Sequence, residues 1–254
     1  MAEVLAVTNQ KGGVGKTTTS VNLGSYLASA GHRVAVIDLD PQANATLALG
    51  VELGAETPTL YEVLIGEVAA EAALQATSVR GLAVMPSTSN LAGAAIELMD
   101  QPYREYRLRR ALKSIRDHFS FILIDCPPSL GLLTINGLVA ADRLLIPVQC
   151  EYLALEGLEQ LLETVGLVRA HLNPKLQVLG AVLTMYDRRT AMARKIVRQV
   201  RRTFPGHVFD SVIPRNTELA EAPGARQPIL TYASHSSGAK AYEYLSDELL
   251  QLYR

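Results

Sequence analysis

Val4-Leu5-Ala6-Val7-Thr8 is followed, after Asn9 and Gln10, by Lys11-Gly12-Gly13-Val14-Gly15-Lys16-Thr17-Thr18, and a helical pattern then runs from Lys16 to Ala30 with Gly31 as its stop. A strand, a glycine-rich loop and a helix in that order form a phosphate cradle. Glycines allow the positive φ that turns successive N–H groups inward, and the helix N-terminus adds its positive dipole. Lys16 is then expected to reach the β- and γ-phosphates, Thr17 to offer its hydroxyl to Mg²⁺, and Thr18 to lie near the α-phosphate. A glycine-rich turn that merely capped a helix would need neither the lysine nor the pair of hydroxyls.

Short apolar runs rich in β-branched residues recur downstream: Arg33 to Asp38, Leu82 to Pro86, Phe121 to Asp125, Leu144 to Gln149, Gln177 to Thr184 and His207 to Ile213. Each is nearly continuous in hydrophobicity, as expected of parallel strands covered on both faces. Helical spacing appears between them, in Leu108, Leu112, Ile115 and Phe119, in Tyr152 to Leu172 before Asn173-Pro174, and from about Ala239 to Leu252. The expected fold class is α/β, a P-loop NTPase with a doubly wound, mostly parallel sheet and helices on both faces. No Ser/Gly-rich linker, low-complexity tract or internal repeat divides the chain, so residues 1–254 are expected to form a single P-loop domain.

Hydrophobic residues make up 48% of the 254 and charged residues 19%, which excludes a disordered, collagenous or disulfide-stapled chain. Cys126 and Cys150 form no CxxC pair and cannot alone furnish a zinc or iron–sulfur ligand set, so two small buried thiols are expected. The N-terminus lacks a basic region followed by a long apolar one, and no run of about 18 uncharged apolar residues occurs. These features point to a soluble, cytoplasmic protein.

The net charge of −1 conceals a segregated pattern. Arg104, Arg107, Arg109, Arg110, Lys113 and Arg116 face one acid, Glu105, within their segment; Arg188, Arg189, Arg194, Lys195, Arg198, Arg201 and Arg202 face none in theirs. Thirteen of the 24 basic residues therefore sit in two short stretches, and the other 11 are spread among 24 acids. Such segregation suggests a polyanion partner. Met192, Ile196, Val200 and Phe204 recur every fourth residue, which predicts an amphipathic helix whose other face carries Arg194, Arg198, Arg201 and Arg202. An ordinary solvated helix face would mix signs for i,i+4 pairing, and this one does not. Few aromatic residues are available to stack on single-stranded bases, so a duplex backbone is the expected target. For Arg104 to Arg116 the sequence leaves a DNA contact and a solvated face equally open.

Two strands deliver acids. Phe121-Ile122-Leu123-Ile124-Asp125 is expected to place Asp125 at a C-terminal strand end, where it would hold Mg²⁺ through a water. Val36-Ile37-Asp38-Leu39-Asp40-Pro41 places Asp38 and Asp40 two residues apart, projecting the same way if the extended conformation persists. One would support the metal and the other orient water; capping of a following helix is the alternative use, above all for Asp40.

Lys11-Gly12-Gly13-Val14-Gly15-Lys16-Thr17-Thr18 resembles the deviant Walker A motif, marked by the additional Lys11. With Asp38-Leu39-Asp40-Pro41-Gln42, Asp125-Cys126-Pro127-Pro128-Ser129 and Ile213-Pro214-Arg215-Asn216, the whole chain resembles the ParA/Soj chromosome-partitioning ATPases. The resemblance implies an ATP-dependent nucleotide-sandwich homodimer in which Lys11 crosses to the ATP of the other subunit. It implies that Asp40 positions the attacking water, that Asp38 supports the Mg²⁺ shell, and that Met185, Pro214 and Arg215 frame the adenine. It also implies non-specific double-stranded DNA and a ParB/Spo0J-type centromere-binding protein as partners, and a nucleoid-associated location. The family pattern has a basic residue shortly after Pro-Arg-Asn, whereas this chain reads Asn216-Thr217-Glu218; the expected DNA surface therefore moves to Arg188, Arg189 and the helix that follows. With the loop so near Met1, no N-terminal helix-turn-helix domain is expected.

Two other functions share such a core. A membrane-cycling MinD-like regulator would need a basic amphipathic tail, but Tyr242 to Arg254 holds three acids and one base, so no membrane partner is expected. An iron–sulfur carrier ATPase would need cluster ligands, and Cys126 follows the metal aspartate while Cys150 ends a strand.

Overall fold

The computed structural model describes residues 1–151 and 154–253; the expected helix start at Tyr152 and the terminal Arg254 lie outside the described residues. Eight strands form: β1 (Glu3–Val7), β2 (Val34–Asp38), β3 (Gln75–Ala76), β4 (Leu82–Met85), β5 (Phe121–Asp125), β6 (Arg143–Gln149), β7 (Gln177–Tyr186) and β8 (Val208–Pro214). They build one sheet in the order β3-β4-β2-β5-β1-β6-β7-β8. Only β3 runs antiparallel to its neighbour. The seven apolar runs account for every strand except β3, a two-residue edge that carries no pattern of its own. β2 and β5 are buried at all five positions, which is why they read as unbroken apolar segments.

Among the described residues twelve α-helices link or follow the strands: α1 (Lys16–Ser29), α2 (Asn44–Ala48), α3 (Leu60–Ile65), α4 (Ala70–Ala73), α5 (Leu91–Glu97), α6 (Arg107–Ile115), α7 (Leu132–Ala140), α8 (Ala154–His171), α9 (Ala191–Thr203), α10 (Thr217–Glu221), α11 (Ile229–Tyr232) and α12 (Ser237–Gln251). One apolar cluster covers a face of the sheet with Leu64 of α3, Leu108 and Leu112 of α6, Leu138 of α7, Leu161 of α8, and Ile196 and Val200 of α9. The opposite face is covered by Leu23 and Leu27 of α1, Ala45 of α2, Leu219 of α10, Ile229 of α11, and Tyr242 and Leu245 of α12. Parallel pairing forces crossovers, and the crossovers supply both layers.

α1 lies close on the sheet because position 24 is glycine. A Cβ there would stand 3.2 Å from both Leu123 Cδ1 and Val36 Cγ2, closer than packed side chains accept. This contact sets the height of α1 and so of the loop that feeds it. Gly31, with φ +93°, ends the helix as expected.

Two helical expectations are corrected. α6 ends at Ile115, and a 3₁₀ turn over residues 116–118 carries the chain to an extended Phe119, which therefore does not continue the Leu108 stripe. In α9 the core side is Ala193, Ile196 and Val200, while Met192 is 49% exposed. A strict four-residue spacing turns by roughly 40° per step around a 3.6-residue helix, so its first member drifts off the buried stripe. Among the described residues no helix is long and apolar enough to cross a membrane.

Candidate functional site

The glycine-rich loop links the C-terminal end of β1 to α1. Gly13 and Gly15 hold φ of +72° and +88°, the left-handed conformations that glycine takes without steric cost. Neighbouring strands pin the loop at both ends. Asn9 Nδ2 donates to the Pro147 carbonyl at 2.7 Å and its Oδ1 accepts from Lys11 N at 3.1 Å. The Thr184 hydroxyl donates to the Val14 carbonyl at 2.8 Å. Lys16 is buried, and its Nζ donates to the Lys11 carbonyl at 3.1 Å across the mouth of the loop. Burial pushes its ammonium below the usual lysine range, opposed mainly by Asp125.

Lys11 behaves differently: its Nζ leaves the cradle and lies 3.6 Å from Glu151, which also stands 3.5 Å from Arg215. A Cβ built on Gly12 meets nothing within 4 Å, so its own chain leaves that side of the loop open.

The carboxylates divide their work. Asp38 and Asp125 are register partners at the ends of β2 and β5, and both are fully buried. Asp125 Oδ1 accepts from the Ser20 hydroxyl at 2.9 Å, while its Oδ2 is buried with no hydrogen-bond partner. Burial, reinforced by Asp38, pushes the Asp125 carboxyl up to about 7, with the Thr17 and Ser20 hydroxyls opposing. Asp38 Oδ2 accepts from Thr46 N at 2.7 Å and Thr46 Oγ1 at 2.6 Å, and its Oδ1 from Asp40 N at 3.3 Å. Burial raises its carboxyl to about 6 against these bonds. Helix capping thus falls to Asp38, which serves the first turn of α2, whereas the sequence had suggested it for Asp40. Asp40 closes a local turn by accepting from Gln42 N at 2.9 Å and faces the cleft instead. The two side chains diverge because the chain leaves β2 at Asp38 and turns.

That cleft, ≈ 400 Å³, is lined by Gly12, Gly13, Gly15, Lys16, Thr17, Thr18, Asp40, Gln42 and Met185 among others. A second hollow of ≈ 300 Å³ shares Gly15, Thr18 and Met185 with it and continues along Thr184, Ile213, Pro214, Arg215, Leu219 and Tyr242. Met185 sits near the end of β7 with φ +52°. The expected base-framing residues Met185, Pro214 and Arg215 therefore meet at one end of the groove and the loop lysine and threonines at the other. Sequence reasoning missed four supports here. Asn9 and Thr184 anchor the loop; Tyr242 lines the floor, its hydroxyl 3.2 Å from Thr19 Oγ1 of α1; and Asn216 caps α10 through Leu219 N at 2.9 Å. The Asn216-Thr217-Glu218 pattern was a visible capping signal, but nothing local marks Thr184 or Tyr242.

The basic segment around α9 also needs correction. Arg188 and Arg189 precede the helix, and Arg189 NH2 pairs with Asp187 at 2.8 Å, drawing that carboxyl down to about 2. Arg201 pairs with Asp210 of β8 at 2.7 Å, and Arg194 NH1 donates to the Arg188 carbonyl at 2.7 Å. Acids therefore do reach these arginines, one from just before the segment and one from the next strand. Lys195, Arg198 and Arg202 line a shallow outer groove and carry no ion pair among the described residues. Cys126 and Cys150 are buried, with thiols pushed well above their usual range by burial.

Comparison with known proteins agrees with this geometry. A family described as AAA domain matches residues 2–178. The sporulation initiation inhibitor protein Soj of Bacillus subtilis is 50% identical over 249 residues, covering 98% of each chain. The chromosome partitioning protein ParA of Caulobacter vibrioides is 47% identical over 253 residues, covering 99% of this chain and 95% of that one. Among solved structures, a cobyrinic acid a,c-diamide synthase from Mycobacterium smegmatis, with bound ADP and magnesium, superposes with a TM-score of 0.87 at 41% identity over 100% of this chain and 96% of that one. A loop with two lysines, buried acids at the ends of β2 and β5, and this likeness along the full chain lead to one conclusion: the chain belongs to the ParA/Soj family of chromosome-partitioning P-loop ATPases.

Proposed function

We propose that this chain is an ATP-driven partitioning switch. Residues 1–254 work as one domain that binds ATP with Mg²⁺, closes into a nucleotide-sandwich homodimer, holds double-stranded DNA without sequence preference, and releases it after hydrolysis stimulated by a ParB/Spo0J-type partner. Its place in the cell is then the nucleoid. The observation that carries this reading is the pair of lysines on one loop, Lys16 held across the cradle and Lys11 turned out of it.

The residues present fit a magnesium ion. Asp125 Oδ2 is a buried acceptor without a partner, and Thr17 lies beside it in the cleft wall. Among the described residues no three His, Cys, Asp or Glu side chains converge on a metal cage. That suits Mg²⁺, which draws most of its ligands from water and phosphate oxygens. Bound there, the ion supplies charge neutralisation at the β- and γ-phosphates. Thr17 and Asp125 hold its site, and Asp38 stiffens it by fixing α2 and the turn that carries Asp40. Lys16 and the loop N–H groups bind the phosphates, Met185, Pro214 and Arg215 flank the base, and Asp40 orients the attacking water. Phosphoryl transfer asks chiefly for positioning and charge, and this set provides both. Lys11 is placed to serve the nucleotide of a second copy. Arg188, Arg189, Arg194, Arg198, Arg201 and Arg202 present the DNA surface, with Arg198 and Arg202 the most available.

Duplex binding measured with ATP, ADP and no nucleotide tests the switch: tight, salt-sensitive binding with ATP alone is expected, and equal binding in all three states would overturn it.

A further inference from the structure

Outside the nucleotide groove, Tyr103, Tyr106, Arg109, Arg110 and Lys113 line a hollow of ≈ 370 Å³ on the outer side of α6. Two of the flanking cations are committed elsewhere, Arg104 to Glu105 and Arg116 to Asp142. Arg109, Arg110 and Lys113 have no ion pair among the described residues. The Arg110 guanidinium lies 4.8 Å over the ring of Tyr103, a stack that holds the planar cation in place. Tyr103 itself is 64% exposed and has φ +58°, a conformation bulky residues rarely adopt. Tyr106 is fixed from below by its hydroxyl donating to the Leu172 carbonyl at 3.1 Å. One cation of the hollow, Arg110, is thus held by a ring, and Tyr106 is held beside it.

Its position in the fold identifies a partner. Leu108, Leu112 and Ile115 of α6 pack in the same cluster as Ala193, Ile196 and Val200 of α9, so both basic helices cover one face of the sheet. Between them lie α7, almost wholly buried, and α8, which exposes Glu159 and Glu163 along its middle and Arg169 and His171 in its last turn. Three helix-to-helix steps at 8–10 Å each separate the two basic patches by roughly 25–30 Å. That is shorter than one turn of duplex, about 34–36 Å, so a single duplex can reach both patches. A duplex gripped at α6 and again at α9 would lie across α8, where Glu159 and Glu163 offer no phosphate contact and Arg169 offers a further one. We propose that the Tyr103–Arg110–Lys113 hollow is a second phosphate-binding patch for double-stranded DNA, acting with the α9 patch across α8. This rests on the reading that the protein holds DNA.

Full-length protein loaded with a slowly hydrolysed ATP analogue would be titrated into a labelled duplex of arbitrary sequence at several salt concentrations. Four forms are compared: wild type, Arg110→Gln with Lys113→Gln, Arg198→Gln with Arg202→Gln, and all four changes together. The α6 pair should bind roughly tenfold more weakly at fixed salt and lower the salt slope by about two per protomer, with DNA-free ATP turnover unchanged. The fourfold variant should lose more than either pair. Tyr103→Ala, which removes the stack and keeps every charge, should weaken binding by a smaller factor. Wild-type affinity and slope in the α6 pair, with loss in the α9 pair, would overturn this patch while leaving the DNA reading intact, and would assign the hollow to an acidic protein surface. Failure of wild type itself to bind any duplex would overturn both.

Discussion

At the phosphate loop most polar groups are held by bonds from within the loop, from adjacent strands or from α1, whereas on α6 and α9 the one ion pair among the described residues is Arg201 with Asp210 of β8. Lys16, Asp38 and Asp125 are buried, and their partners leave little freedom. Arg198, Arg202, Arg110 and Lys113 stand in solvent with no ion pair among the described residues, Arg110 resting on the Tyr103 ring. The difference predicts two styles of failure. A buried, preorganised set fails steeply when one member is lost, because the remaining charges stay desolvated. An exposed set fails by degrees, since each phosphate contact contributes a similar, salt-screened share.

The steepest effect is expected at Asp40. Asp40→Ala should lower turnover by about a hundredfold to a thousandfold, as the attacking water loses its acceptor, yet leave ATP binding near wild type; phosphate release alongside a nucleotide titration checks both, and wild-type turnover would remove Asp40 from the mechanism. Lys16→Ala should weaken ATP binding itself by more than about thirtyfold, the effect of removing a buried charge partner worth about 2–5 kcal/mol, and calorimetry reads it directly. Retained affinity there would mean that the loop does not hold the phosphates.

Gly12→Val sharpens the comparison from the other side. Because a Cβ at Gly12 meets nothing in its own chain, the variant should fold and bind ATP. Its side chain would project where the proposed second copy approaches, so the dimer expected in sedimentation with a slowly hydrolysed analogue should disappear. A normal dimer in Gly12→Val would place the interface elsewhere.

The smallest effect separates two arginines on one helix. Arg201 is already paired with Asp210, while Arg198 is not. Arg198→Gln should lower duplex affinity by a few-fold and reduce the salt slope by about one, and Arg201→Gln should do less. Equal losses would show that the Asp210 pair opens freely, as exposed pairs worth under about 1 kcal/mol can.

The same contrast governs what the sequence discloses. The loop, its two lysines and the acids ending β2 and β5 are legible because each is set by residues adjacent in sequence and by the abrupt end of an apolar strand. The strands are legible because burial on both faces leaves an unbroken run. Thr184 and Tyr242 are hidden, since their role comes from β7 and α12 being folded against the loop and α1, which no local pattern encodes. Asp38 is only half legible for a related reason: its Oδ1 accepts from Asp40 N, a neighbour in sequence, but the turn after it sends its Oδ2 to Thr46. The arginines around α9 look free of acids because Asp187 lies just before the basic stretch and Asp210 arrives from β8.

On this reading ATP joins two copies through Lys11, and the joined form grips DNA. Sedimentation velocity of wild type and Lys11→Ala, each with a slowly hydrolysed ATP analogue and a labelled duplex, tests it in one experiment. Wild type should sediment as a dimer carrying the duplex, and Lys11→Ala, still bound to nucleotide, as a monomer with the duplex left free. A Lys11→Ala protein that dimerises and carries DNA like wild type would contradict the account.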